Sequence, residues 1–174
     1  MRSTRLLAGI ILIATCIVGF NSSAWAEEEK DFSPEDMALI KSFTLTTDFL
    51  QKWKAMNQDT NVLGCNVYAL NLTAETIEDR AKEYDARPGV HASLVSHNLT
   101  AREVVLGTTT LAVASLQMLR EKFKWMASED DAPMPVTEAN VKFVRDHYDE
   151  VSQLDQLVRK NRDARHPKGA CPEQ

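Results

Sequence analysis

One stretch of this sequence has no face it can leave in water. In Leu99-Thr100-Ala101-Arg102-Glu103-Val104, the Thr100 hydroxyl is placed to accept from the backbone N–H at 103. The Glu103 side chain is placed to reach back to the Thr100 N–H, and Leu99 to pack on Val104, which together start a helix. The residues that follow, to about Ala127, put Val104, Val105, Leu106, Leu111, Val113, Met118 and Leu119 on several sides of that helix. A helix that is apolar all round is stable only when other elements surround it. The rest of the chain must therefore wrap it, and the small residues Gly107, Ala112, Ala114 and Ser115 would let a neighbour come close.

Every candidate neighbour reads as helical. From about Pro34 to Asn57, Met37, Ile40, Phe43, Thr47, Leu50 and Trp53 recur every three or four residues, the period of one buried helical face. Ser33 is placed to cap that helix, Pro34 fits its first position, and Glu35 and Asp36 complement its dipole. A polar helix over about Leu72 to Ala86 offers Ile77, Ala81 and Tyr84 inward, and Arg87-Pro88-Gly89 breaks it. Pro88 to about Ser96 predicts two further turns. After an acidic, proline-containing connector over Ser128 to Pro135, Thr137 caps a last helix to Lys160 with a clean stripe of Val141, Val144, Tyr148, Val151, Leu154 and Val158. The expected fold is all-α: a bundle of three long helices plus a short broken helical leg.

The N-terminus predicts export. Arg2 and Arg5 precede an apolar run of about fifteen residues from Leu6 to Phe20, and Ala24-Trp25-Ala26 is a small-x-small cleavage box; that order is a secretory signal peptide. The run is shorter than the roughly 20 residues a membrane span needs, and Thr15 before Cys16 does not fit a lipidation box. Cleavage after Ala26 divides the chain into a signal peptide over 1–26, a bundle domain over 27–160 and a flexible tail over 161–174, with the product in the periplasm or secreted. The remaining chain carries 18 Lys and Arg against 25 Asp and Glu, a net charge of −7. No basic field is left for a nucleic acid or an anionic membrane.

Cleavage also leaves two cysteines, Cys65 and Cys171. In an oxidising compartment they read as one disulfide, with two free thiols as the alternative. Bonded, they would favour the first and last long helices ending on the same side of the bundle.

The recognised catalytic signatures are missing. There is no CxxCH for attached haem, no HExxH, no G-x-S-x-G, no GxxxxGK[ST] and no Glu-x-x-His pair for a di-iron bundle, so no cofactor is expected. His147 and Glu150 share a helical face as half of a metal site, or as a solvated rim. Met37 and His147 are the residue types that hold b-type haem between the first and last helices of small exported bundles. His91 and His97 read as capping or loop residues. Trp53, Phe123 and Trp125 could line a pocket between helices, though aromatics at such spacing also pack cores.

Two stretches, Leu72-Thr73-Ala74-Glu75-Thr76 and Leu99-Thr100-Ala101-Arg102-Glu103, resemble the Leu-Thr-x-x-Gln boxes of Spy-type periplasmic chaperones, with Thr or Glu in place of Gln. Pro88-Gly89-Val90 followed by Leu99 to Leu106 resembles a pattern of uncharacterised secreted helical proteins of Gram-negative bacteria. Those resemblances imply an exported helical protein, and the first implies shielding of unfolded clients. The expectation is a non-enzymatic exported bundle that binds a protein client or a small apolar ligand, as a monomer or homodimer. The alternative is a haem- or metal-carrying bundle.

Overall fold

The fold is all-helical. A computed structural model of the chain describes residues 32–59, 76–123 and 134–165, all within one compact unit, Phe32–Gln174. Seven helices and no strand occur among the described residues: α1 (Pro34–Ser42), α2 (Thr47–Gln58), α3 (Ile77–Asp85), α4 (Pro88–Ser96), α5 (Ala101–Lys122), α6 (Glu138–Asp146) and α7 (Tyr148–Arg165). The export signal, Cys65, Cys171 and Trp125 lie outside the described residues.

α5 is the axis. Its 22 residues span about 33 Å, and α1, α3 and α6 all pack against it, while α2 packs against α7. Thr100 caps it, with the Glu103 N–H donating to the Thr100 hydroxyl at 3.1 Å. The reciprocal bond to the Glu103 side chain is not made; a hydrogen bond to Asp48 and, to a smaller extent, the Glu103 carboxylate hold the proton on Lys52 of α2. Leu99, Val104, Leu106 and Leu111 are all buried, and Ala114 has no exposed surface. Ion pairs between Arg102 and Glu78 at 2.7 Å and between Arg145 and Glu121 at 2.8 Å flank the core on α3 and α6. Half-exposed, they set orientation more than stability.

The first long helix expected over 34–57 is two. α1 ends at Ser42, Phe43 to Thr46 are non-helical, and Thr46 caps α2 by accepting from the Phe49 N–H at 3.1 Å. Of the expected stripe, Ile40, Leu50 and Trp53 are buried, whereas Met37 is 38 % exposed. It also strands the Phe43 carbonyl and the Leu45 N–H, and buried Asn140 of α6 satisfies both. Its Nδ2 donates to Phe43 O at 2.7 Å, and its Oδ1 accepts from Leu45 N at 2.9 Å. Buried backbone groups need partners, and here one side chain supplies them.

The last helix is interrupted at His147, a turn residue that separates α6 from α7. The backbone ladder continues across it, from His147 N to Phe143 O at 3.0 Å and from Val151 N to His147 O at 2.9 Å. α7 runs on to Arg165, five residues beyond the expected boundary. α5 closes earlier than expected, at Lys122, with the Phe123 N–H bonded to Leu119 O.

A second long-range cap ties α1 to α3. Buried Asp36 accepts from the Ile77 N–H at 3.0 Å while its own N–H donates to Ser33 Oγ. Its carboxylate thus stands at the N-termini of two helices, where backbone N–H groups are unpaired and the dipole favours negative charge.

Candidate functional site

Among the described residues, an open groove of about 460 Å³ lies between α1 and the segment entering α6. One wall is Met37, Ala38 and Lys41 of α1; the other is Met134, Pro135 and Val136. Met37 and Lys41 are one helical turn apart and so share a face. The Val136 N–H turns back to Met134 O at 2.8 Å, which folds the chain at Pro135 and presents its neighbours to the groove. Thr137 then caps α6 by accepting from the Asn140 N–H at 3.2 Å. Because Asn140 also binds the Phe43–Leu45 junction, the two walls are joined through one side chain.

The lining suits apolar chains with a negative or polar edge. Methionine thioethers are flexible and polarisable and adapt to varied apolar shapes, and the exposed Lys41 is the groove's charged group. From sequence, Met134 and Pro135 fall in the acidic connector over Ser128 to Pro135, and Lys41 falls inside the helix expected over 34–57 without a role. Two apolar residues astride a proline, belonging to no helical stripe, were the available signal.

The residues singled out from sequence are dispersed. His147 caps α6, with its ring 4.4 Å from that of Phe143 and Nδ1 3.5 Å from Glu150 Oε2. Beside it, a hydrogen bond from Lys142 holds the Asp146 carboxyl below the ordinary carboxylate range. Met37 shares the groove with Val136, just before α6, whereas His147 directly follows α6; the nine residues between them in that helix span roughly 13 Å. Among the described residues no group of three or more His, Cys, Asp and Glu side chains could hold a metal ion.

Trp53 is buried on α2, with its carbonyl accepting from Asn57 Nδ2 at 2.8 Å. Phe123 is half-buried at the end of α5 beneath the Lys122 ammonium, which lies 5.5 Å from the ring centroid. His91 pairs with Asp85 at 2.8 Å. His97 closes α4, with Nδ1 2.9 Å from Ser93 O and Nε2 3.7 Å from Asp59 Oδ2. Thr76 and Thr100, from the two Leu-Thr stretches, cap α3 and α5.

No helix among the described residues is long and apolar enough to cross a membrane. No protein-family model, curated protein or solved structure matches the chain.

Proposed function

We propose that this is an exported, non-enzymatic helical protein that holds an apolar segment of a protein client in the groove between α1 and the entry to α6. In this reading the helices form three long legs, α1 with α2, α5, and α6 with α7, and α3 with α4 is the broken return leg. The observation that carries it is the groove itself: exposed Met37 and partly exposed Met134, Pro135 and Val136 line it beside one lysine. An open, methionine-lined surface accepts many apolar sequences without a fixed shape. The separation of Met37 from His147 by the length of α6 favours client binding over haem or metal carriage. The basic start, apolar run and Ala24-Trp25-Ala26 box support export.

The test is aggregation of a heated or chemically reduced client protein, followed by light scattering, with the chain lacking residues 1–26 in molar excess. The parent chain slows aggregation, and Ala38→Glu, which puts a carboxylate on the exposed α1 wall, loses most of that effect at unchanged helicity. A parent chain with no effect on any client sinks the reading. Native mass spectrometry separates the small-ligand version, which would show a bound species of a few hundred daltons at most.

A further inference from the structure

Of the six methionines, Met37, Met56, Met118 and Met134 lie among the described residues, and the fold sorts them into two pairs. Met56 and Met118 are 1 % and 7 % exposed in the core. Met37 is 38 % exposed and Met134 partly exposed, and they line the same groove from opposite walls. We propose that Met37 and Met134 form a modification site at which a peroxide-class oxidant converts the groove from apolar to polar and so releases its occupant. The release rests on the binding function proposed above; the modification does not.

The chemistry is a two-electron oxygen transfer. A lone pair of the thioether sulfur attacks one peroxide oxygen, an S–O bond forms as the O–O bond breaks, and the proton of the transferred oxygen passes to the departing hydroxide to give water. Sulfur is oxidised to the sulfoxide and the peroxide is reduced to water. Both the oxidant and the solvent that relays the proton must reach the sulfur, so exposure decides which methionines react. The product is a polar, chiral side chain that methionine sulfoxide reductases return to the thioether.

The groove contains the group that favours the product. Lys41 lies on the same α1 face as Met37, and its ammonium has three donors and no acceptor. It gains little from a thioether and pairs well with a sulfoxide oxygen. Two sulfoxides facing each other beside that ammonium leave no continuous apolar floor for a client segment.

The folded chain lacking residues 1–26 is treated with stepped doses of hydrogen peroxide, digested, and mapped for sulfoxide by mass spectrometry. Fluorescence of the apolar dye 1-anilinonaphthalene-8-sulfonate reports groove binding on the same samples. Met37 and Met134 convert roughly tenfold or more faster than Met56 and Met118, and dye binding falls in step. The double variant Met37→Leu, Met134→Leu, which has no oxidisable sulfur in the groove, is compared with its own untreated sample: whatever its starting level of dye binding, that level does not fall with dose while the core is spared. Core methionines that keep pace with the groove pair overturn the site. Full conversion with unchanged dye binding overturns the release, and an unoxidised parent that binds no dye overturns the groove as a binding site while the sulfoxide map still judges the modification.

Discussion

Phe49 of α2 occupies the space in front of Gly107 of α5: a methyl group on Gly107 would lie 2.2 Å from the ring's Cζ and 2.5 Å from Cε2. The ring cannot retreat freely, since it is 2 % exposed and packs edge-on against Phe43 at 5.9 Å between centroids. Alanine is the better helix former by about 1 kcal/mol, yet overpacking a core costs about 1–3 kcal/mol or more. Gly107→Ala therefore destabilises the fold by about 1–2 kcal/mol in urea unfolding. In a Phe49→Ala background, where the ring is gone, the same change becomes neutral or favourable. A Gly107→Ala protein as stable as its parent would refute the contact.

Asn140 is the sole side chain bridging the broken backbone between α1 and α2 at Phe43 and Leu45 among the described bonds. Asn140→Ala leaves a donor and an acceptor unpaired, each costing about 1–3 kcal/mol if it stays buried. We expect a loss of about 2–4 kcal/mol and faster amide exchange at Leu45, measured by hydrogen exchange. Asn140→Asp keeps the acceptor for Leu45 but loses the donor to Phe43 and buries a charge, so it does not rescue. Protection at Leu45 unchanged in Asn140→Ala would show that the junction is held by other means.

What was legible in the sequence was what each segment carries within itself. The caps at Ser33, Thr100 and Thr137 are made by residues three positions from the N–H they bind, and the burial of α5 follows from its own apolar residues. The break between α1 and α2 was not legible, because the apolar period runs straight through Phe43 to Thr46 and the partner that makes the break tolerable lies 95 residues downstream. In sequence Asn140 is one polar residue in the first turn of a helix. The groove is hidden in the sequence as well: Met37 keeps the apolar period of 34–57 yet lies on the outer side of α1, and Met134 and Val136 belong to no stripe at all.

Thr110 of α5 and Ser93 of α4 are fully buried, and neither hydroxyl has a hydrogen-bond partner. Burying such a group without a bond costs about 1–3 kcal/mol, and replacing it by an apolar group of the same shape removes that cost. Thr110→Val is close to isosteric, and Ser93→Ala removes one atom. Each should raise the urea midpoint, by about 1 kcal/mol of stability, with additive effects in the double variant if the sites are independent. A fall in stability for Thr110→Val would mean that the hydroxyl is paired in solution.

At the start of α3, the Asp79 N–H donates to the Thr76 hydroxyl at 3.1 Å and that hydroxyl donates to Asp79 Oδ2 at 2.9 Å. The Lys82 ammonium, bonded to Oδ1 at 2.7 Å, and then the Thr76 hydroxyl hold the Asp79 carboxyl below its ordinary value of 3.8; Asp79 holds the Lys82 proton above its ordinary 10.5. A depressed carboxyl adds stability that is present above the unfolded value and lost as pH falls through the folded one. A raised ammonium adds stability that is present below its unfolded value and lost as pH rises through the folded one. Asp79→Asn should flatten part of the stability loss on both limbs. The effect should shrink in concentrated salt, because both groups are exposed and screened. Identical acid limbs for parent and variant in urea titrations would remove this pair from the account.

Asn98 ends α4 with a positive φ of 54°, the left-handed conformation that suits glycine and asparagine at this position. Its N–H donates to Val95 O at 3.1 Å, and the Leu99 N–H donates to Leu94 O at 2.9 Å, the bond pair that closes a helix through such a residue. Two residues later Thr100 caps α5, so this one conformation turns the chain from α4 into the central helix. A side chain that cannot bond locally pays about 1–2 kcal/mol there, whereas glycine pays nothing in the folded state and only its extra freedom when unfolded. Asn98→Ala should therefore lose about 1 kcal/mol or more, while Asn98→Gly stays within a few tenths of the parent, both read from urea midpoints. The glycine variant decides between two causes, because it lacks the asparagine side chain but keeps the backbone freedom. If it loses as much as alanine, the asparagine amide rather than the left-handed turn is what α4 depends on.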